Sequence, residues 1–170
     1  MTIDKPNFFL LTGGPGVGKT TLIEELRRRG ERVVEETHRR IIREGRAKSG
    51  SAELGVLAAQ EDIARFEAMK DVQTRVFFDR GVIDSVTRQA PAWMWAAARR
   101  LRYNKLVFVP PPWRKIYAQD AERRQTFEDC LAVHDAIQTL LQKLDYRPVE
   151  LPCATASERA DFVLAAVDKA

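Results

Sequence analysis

The residue types best suited to chemistry stand together near the start of the chain, at residues 13–20, which read Gly-Gly-Pro-Gly-Val-Gly-Lys-Thr. This segment matches the pattern G-x-x-x-x-G-K-S/T without deviation. Glycines let a backbone wrap closely around phosphates with several N–H groups pointing inward. Lys19 would reach the β- and γ-phosphates of a nucleotide, and the Thr20 hydroxyl would coordinate magnesium. We therefore predict a P-loop that binds ATP with Mg2+. The predicted nucleotide-binding residues are Gly13, Gly14, Pro15, Gly16, Val17, Gly18, Lys19, Thr20 and Thr21.

Two alternative roles suit this glycine-rich segment less well. A turn without function would not need the predicted strand before it and the predicted helix after it, which are the context of a P-loop. A dinucleotide-binding fingerprint G-x-G-x-x-G that starts at Gly14 would need glycine at the position of Lys19. The choice between ATP and GTP stays open from these residues alone.

An aspartate ends the third predicted strand, because Asp79 follows the apolar pair at residues 77–78. This is the position of a Walker B carboxylate, which holds magnesium directly or through water; the alternative is a surface aspartate that begins a turn. Motor ATPases usually place a glutamate next, to activate water, and here the next residue is Arg80. GTPases read guanine with Asn-Lys-x-Asp, whereas Asn104 and Lys105 are followed two positions later by Val107. Both absences favour a different kind of P-loop protein.

Phosphotransferases also need a carboxylate that positions or deprotonates the acceptor hydroxyl. Glu35 and Glu36 follow the second predicted strand directly. We take Glu36 as the candidate and leave Glu35 as the alternative; a third possibility is that one or both are only solvated.

Phosphotransferases of this kind also need a mobile, arginine-bearing lid that closes over the phosphates. Residues 120–124, Asp-Ala-Glu-Arg-Arg, follow a break of three prolines and suit that role, within a lid at about residues 111–126. A salt-bridged helix end would account for the same residues. The side chains expected to act in catalysis are Lys19, Glu36, Asp79, Arg80, Arg123 and Arg124, and the predicted metal ligands are Thr20 and Asp79.

Short apolar runs alternate with longer helical patterns, which is typical of a parallel α/β sheet. Strands are predicted at residues 8–11, 32–34, 75–78, 105–109 and 147–151, and the proline at 148 indicates an edge strand. Helices are predicted at residues 19–29, through 39–42, and at 52–70 and 127–144, with a final helix opened by the capping box Thr155-x-x-Glu158.

Length and composition agree with one globular domain over residues 1–170. There are 28 Lys and Arg against 24 Asp and Glu, and the resulting net charge of +4 suits phosphates without requiring nucleic acid. The two cysteines and two histidines lack the spacing of a zinc site. We expect no signal peptide, because residues 1–7 are polar and lack a long apolar run after a basic start. No apolar run approaches the ~20 residues that span a membrane. We expect a cytoplasmic protein that binds neither membrane nor nucleic acid; the oligomeric state is not predicted.

Several segments together resemble a known family. They are residues 11–21, 32–36, 77–81, 107–113 and 146–159, with Tyr117, Asp120 and Arg123. The chain looks like the P-loop AAA-domain ATPases related to the ribosylnicotinamide kinase domain of bacterial NAD regulators, and the resemblance spans nearly its whole length. It implies a three-layer α/β fold of the nucleoside and nucleotide kinase type, with a five-stranded parallel sheet, helices on both faces and a small helical lid. It also implies that residues 152–155 lie where related kinases hold the base.

Two further polar residues lie near the predicted acceptor site. His38 follows the acidic pair by two positions, and Asp84 stands one turn beyond Arg80. Each also suits a simpler role, as a packed structural histidine and as an acid at a helix N-terminus, where it is favourable.

We therefore predict a small-molecule kinase that transfers the γ-phosphoryl group of ATP to an unidentified acceptor hydroxyl, on a nucleoside-like compound. The alternative is a nucleotide-dependent switch or binding module with slow hydrolysis, including one that binds phosphoinositides or a protein partner. A nucleic-acid-binding ATPase, which would bind with a steep salt dependence, is a third hypothesis.

Overall fold

A five-stranded parallel sheet forms the centre of the molecule. The computed structural model describes residues 1–117 and 126–169. The strands of the main sheet are β2 (Phe8–Leu11), β3 (Arg32–Val34), β4 (Val76–Asp79), β6 (Leu106–Val109) and β7 (Arg147–Glu150). Their order across the sheet is β3-β4-β2-β6-β7, with every pair parallel. Two short strands, β1 (Ile3–Asp4) and β5 (Leu101–Arg102), pair separately in parallel.

Six α-helices and one 3-10 helix connect the strands within the described residues. The α-helices are α1 (Lys19–Arg28), α2 (Thr37–Arg43), α3 (Ala52–Ala68), α4 (Ala92–Arg100), α5 (Phe127–Lys143) and α6 (Ala156–Val167). The 3-10 helix spans Val82–Ser85, directly after β4. None of the helices in residues 1–117 and 126–169 combines the length and the apolar character needed to cross a membrane.

Side chains alternate between the two faces of the central strand and so bury both layers of helices. Phe8 and Leu10 lie in a core formed with α3, α4 and α5, where Phe66 and Phe78 pack against Phe8. Leu11 and Phe9 lie in a second core, formed with α1 and α6. The helices on both faces that the resemblance implied are confirmed.

All five predicted strands and all five predicted helices are observed, with ends that differ by a few residues at most. The strand that carries Pro148 lies at the edge of the sheet, next to β6 alone, which confirms the expectation from its proline. The two-residue strands β1 and β5 were not predicted, because an element of that length has no detectable period.

Parallel strands bring their carboxyl ends to one edge of the sheet, where ligands of such folds bind. Leu11 at the end of β2 pairs in register with Asp79 at the end of β4, and Val34 at the end of β3 pairs with Phe78. The P-loop, the acidic pair after β3 and the turn after β4 therefore lie side by side.

Candidate active site

The loop after β2 has the backbone of a phosphate-binding loop. Gly16 and Gly18 have φ angles of 71° and 82°, in the left-handed region that only glycine adopts without strain. Gly18 is also the N-cap of α1, so the free N–H groups of the first helical turn face the loop. Gly14 has no room for a side chain, because a Cβ there would lie 3.0 Å from Sγ and 3.3 Å from the carbonyl oxygen of Cys130 in α5.

Lys19 is folded back into this loop. Its side chain is buried, and Nζ donates hydrogen bonds to the carbonyl oxygens of Gly13 at 2.9 Å and Gly14 at 2.7 Å. Burial and then the charge of Arg80 lower the pKa of Lys19 to about 7, although Asp79 and other nearby carboxylates act in the opposite direction. The ammonium group therefore lies in a desolvated place where added negative charge, such as that of phosphates, would stabilise it.

Asp79 has the environment expected of a metal ligand. Asp79 is only 5% exposed. Within the described part of the chain, its buried Oδ1 atom has no hydrogen-bond partner. Burial raises the pKa of Asp79 to about 6, although Lys19 lowers it. A buried carboxylate oxygen without a partner is costly, and a hard cation that prefers oxygen ligands would satisfy it. Thr20 is exposed in the first turn of α1 and carries a hydroxyl group. A carboxylate and a hydroxyl group are both hard oxygen donors, so the chemistry of the two side chains fits Mg2+.

The residues after β3 and β4 form one buried polar network. Arg80 Nε donates to Glu36 Oε1 at 2.9 Å, and another guanidinium nitrogen lies 3.4 Å from Asp84 Oδ1. Asp84 also accepts from the Gly81 N–H at 2.9 Å and from the Thr12 hydroxyl. Arg80 has a φ of 63°, which is uncommon for a residue with a side chain and which points to a constrained turn. The network fixes the Arg80 guanidinium against Glu36.

The two glutamates after β3 have different environments. The Glu36 side chain is 14% exposed and has Arg39 Nε 3.4 Å from its second oxygen. Burial alone would raise the pKa of Glu36, but Arg80, Lys19 and Arg39 outweigh it and hold the pKa below its ordinary value. Glu35 is 70% exposed and pairs on the surface with Arg27 at 2.7 Å. Of the two glutamates, Glu36 is therefore the one that is largely shielded from solvent and lies close to Lys19 and Arg80.

Four side chains that follow this network form a polar wall, which we call the α2–α3 wall and define as Thr37, His38, Asp62 and Ser85. The Thr37 hydroxyl donates to Asp62 Oδ1, and Ser85 Oγ lies 3.4 Å from His38 Nε2. Burial raises the pKa of Asp62 to about 7 and lowers the pKa of His38. Among the described residues, the buried Asp62 Oδ2 and His38 Nδ1 have no partner. Sequence reasoning missed Asp62, because nothing along α3 marks it as different from other helical acids.

A second residue that the sequence did not reveal lies behind the P-loop. Arg159 of α6 is 2% exposed; it donates from Nε to the Pro152 carbonyl at 2.8 Å and from a terminal nitrogen to the Val17 carbonyl at 2.7 Å. Its guanidinium carbon lies 5.3 Å from the centre of the Trp113 ring. The other terminal nitrogen is buried and has no partner in the part of the chain that the structure describes. Arg159 thus connects the loop after β7 to the P-loop. One signal in the sequence could have pointed to it: Arg159 is the last residue of the segment 146–159, which carries part of the family resemblance.

The arginines predicted for the lid lie outside the described residues. Arg123 and Arg124 fall in the segment 118–125, and the lid predicted at about residues 111–126 is described only at its two ends. Helix α5 begins directly afterwards, with Thr126 as its N-cap. The structure brings together the other predicted catalytic residues, which are Lys19, Glu36, Asp79 and Arg80.

Together the parallel sheet, the loop and the carboxylate at the end of β4 define a P-loop nucleotide-binding protein with a kinase-like fold. The family model described as an AAA domain matches residues 8–159, and the chain belongs to this family. The family resemblance inferred from the sequence is thereby confirmed. A comparison with curated proteins gives no match.

Several solved structures share the fold. A NadR protein in complex with NR superposes with a TM-score of 0.70 at 17% identity, covering 98% of this chain and 51% of that one. A deoxyadenosine kinase from M. mycoides, with products bound, has a TM-score of 0.65 at 10% identity and coverage of 96% and 100%. A shikimate kinase from Acinetobacter baumannii in complex with shikimate has a TM-score of 0.62 at 16% identity and coverage of 96% and 93%. At these identities the likeness establishes the fold alone.

Proposed function

We propose that this protein is a kinase that transfers the γ-phosphoryl group of ATP to a hydroxyl group of a small molecule. The observation that carries the proposal is Glu36, a largely buried carboxylate that accepts a hydrogen bond from Arg80 at 2.9 Å near the P-loop lysine. A protein that only binds a nucleotide has no need of an ionised, desolvated carboxylate at this place. A kinase needs one to accept a hydrogen bond from the attacking hydroxyl.

The P-loop holds the donor in this proposal. The backbone N–H groups of residues 13–21, other than Pro15, which has none, surround the phosphates. Lys19 leaves the carbonyl oxygens of Gly13 and Gly14 to contact the β- and γ-phosphates. Thr20 and Asp79 would hold Mg2+, directly or through water. When bound, the ion neutralises charge on the phosphate oxygens.

Glu36 orients the acceptor more than it acts as a strong base. Because Arg80 and Lys19 keep its pKa low, Glu36 remains ionised and offers an acceptor to the hydroxyl group. Phosphoryl transfer has a loose transition state, so positioning matters more than early proton removal. Lys19 and Arg80, with Arg123 and Arg124 from the lid, compensate the negative charge of the group in transfer.

The test is the release of ADP by the full chain with ATP and Mg2+, measured with and without candidate acceptors. A kinase gives a rate that depends strongly on one acceptor class, and Glu36→Gln abolishes that dependence while nucleotide affinity is kept. Glu35→Gln is the matched control, because Glu35 lies on the surface and should retain the rate. If slow ADP release is the same with every acceptor, the protein is a nucleotide-dependent switch or binding module instead.

A further inference from the structure

The acceptor site implied by Glu36 has a side wall that the proposed reaction does not yet use. The α2–α3 wall begins at Thr37, the residue directly after Glu36, and ends at Ser85, in the 3-10 helix that carries Asp84. Asp62 reaches this wall from α3, since its carboxylate accepts the hydrogen bond of Thr37. The wall is therefore continuous with the network that orients Glu36.

Two buried polar atoms of this wall are unsatisfied. Asp62 is 6% exposed, and in residues 1–117 and 126–169 its Oδ2 atom has no hydrogen-bond partner. The same holds for Nδ1 of His38, whose other ring nitrogen lies 3.4 Å from Ser85 Oγ. Leaving such buried atoms without partners is costly, so a site that retains two of them is suited to a ligand that satisfies both.

The charges around the wall are unfavourable for an anion. Glu36 and Asp84 lie next to the wall, and Asp62 adds a third carboxyl group, whose raised pKa of about 7 leaves it partly ionised at neutral pH. Among the residues that the structure describes, the arginines within ion-pair distance of Glu36 and Asp84 are already engaged: Arg80 contacts both acids, and Arg39 contacts Glu36. A phosphate or carboxylate on the acceptor would meet carboxyl groups here and would have to compete for guanidinium groups that already have partners.

Resting on the proposed kinase function, we infer that Asp62 and His38 bind the acceptor and that the acceptor is a polyhydroxylated, sugar-like molecule without negative charge. One hydroxyl group lies on Glu36 and is phosphorylated. Others exchange hydrogen bonds with Asp62 Oδ2 and with His38 Nδ1. A binding site made of groups that must be satisfied discriminates strongly against molecules that lack the matching hydroxyls.

The test compares two matched sets of acceptors with the full chain, ATP and Mg2+. One set contains ribose, ribitol and uncharged ribonucleosides; the other contains ribose phosphate, ribonic acid and nucleoside monophosphates. We expect acceptor-dependent ADP release with members of the uncharged set only. A higher rate with the anionic set would overturn this inference while leaving the kinase function in place. If neither set raises ADP release although ATP binds, the kinase function fails, and this inference fails with it.

Substitutions in the wall separate recognition from structure. Asp62→Asn should raise the acceptor KM by roughly tenfold or more and leave the nucleotide Kd unchanged. His38→Gln keeps a group that can contact Ser85 in place of Nε2 but removes Nδ1, and it should also raise the acceptor KM. The matched control His38→Asn keeps a polar group near the position of Nδ1 and should have a smaller effect. Should Asp62→Asn fail to fold, the His38 pair decides; an acceptor KM unchanged in folded Asp62→Asn or in His38→Gln would overturn the assignment.

Discussion

The Thr12 hydroxyl donates a hydrogen bond to the carboxylate of Asp84, so the residue before the P-loop is joined to the 3-10 helix after β4. Both side chains are almost fully buried, Thr12 at 1% as a residue and Asp84 at 1% for its side chain. The contact links the loop that would bind phosphates to the Arg80 and Glu36 pair, across two neighbouring strands.

We predict that Thr12→Val lowers the free energy of unfolding by about 1–3 kcal/mol, since the Asp84 carboxylate loses a donor in a buried place. Urea denaturation at neutral pH measures the change. Thr12→Ser keeps the hydroxyl and is the matched control, so it should lose less than Thr12→Val does. Equal stability of the valine variant and the wild type would show that the hydrogen bond contributes nothing.

Lys19→Ala should weaken the affinity for ATP with Mg2+ by about tenfold or more, because the phosphates lose a positive charge that contacts them. Isothermal titration calorimetry measures the Kd, and the circular dichroism spectrum and melting temperature establish that the variant is folded. A folded variant with the wild-type Kd would remove the P-loop assignment.

Asp79→Asn should lower turnover by roughly 100-fold or more, while binding of the nucleotide without Mg2+ stays near normal. The reason is that the lost carboxylate acts through the ion. A titration of Mg2+ at saturating ATP checks this result. Retained turnover across the titration would make Asp79 a structural residue of the turn after β4.

Glu36→Gln should strongly reduce phosphoryl transfer and leave the affinity for ATP nearly unchanged. Arg123→Ala, in the segment outside the described residues, should lower kcat by about 100-fold or more if Arg123 closes the lid, since arginine fingers contribute about 10³–10⁵ elsewhere. Both substitutions would impair the same step, phosphoryl transfer. The fold-decrease in rate of the double variant should therefore be smaller than the product of the two single fold-decreases. The rate of phosphoryl transfer is measured for the wild type, the two single variants and the double variant. If Glu36→Gln keeps the wild-type rate, Glu35 becomes the next candidate for the carboxylate that positions the acceptor.

The stability of the protein should depend on pH through Asp62. Burial raises its pKa to about 7 in the folded chain, above the value of about 4 in an unfolded chain. The folded state therefore holds an extra proton between these values, and this group makes the folded state less stable as the pH rises from about 4 through about 7. The loss at alkaline pH is on the order of a few kcal/mol.

Asp62→Asn should remove that part of the pH dependence, because the amide does not titrate. The free energies of unfolding of variant and wild type, measured in urea at about pH 5 and about pH 8, provide the comparison. The matched control is Asp161→Asn, whose carboxylate is largely exposed and bound to Arg29 on the surface. If the free energy of unfolding changes equally with pH in the Asp62 variant and in the wild type, the pKa of Asp62 is not raised in the folded protein.

Local patterns were sufficient to predict most of the fold. Continuous apolar runs such as residues 8–11 are typical of strands covered on both faces, and they identified the sheet. The P-loop was predicted because its glycines and Lys19 must occur at fixed spacing. Asp79 and Glu36 followed from a simple rule, that polar residues directly after parallel strands meet at one edge of the sheet.

The residues that sequence reasoning missed are those whose environment depends on distant segments. Asp62 meets Thr37 across 25 positions, and Arg159 meets Val17 across 142. In the sequence each is one charged residue among several on an amphipathic helix, where exposure to solvent is the usual outcome. Their burial follows from how helices pack onto the sheet, which no local period encodes. The difference in environment between the exposed Glu35 and the largely buried Glu36 likewise depends on a distant residue, since Arg80 lies 44 positions beyond Glu36.

The contact between Gly14 and Cys130 has a consequence for motion. A methyl group at position 14 would already be at 3.0 Å from the Cys130 sulfur, and that sulfur is itself 3.2 Å from the Pro15 carbonyl oxygen. The loop therefore packs closely against the first turn of α5 at this point. A displacement of the loop toward α5 as phosphates enter would press on that helix, so the position of the first turn of α5 depends on the occupancy of the nucleotide site.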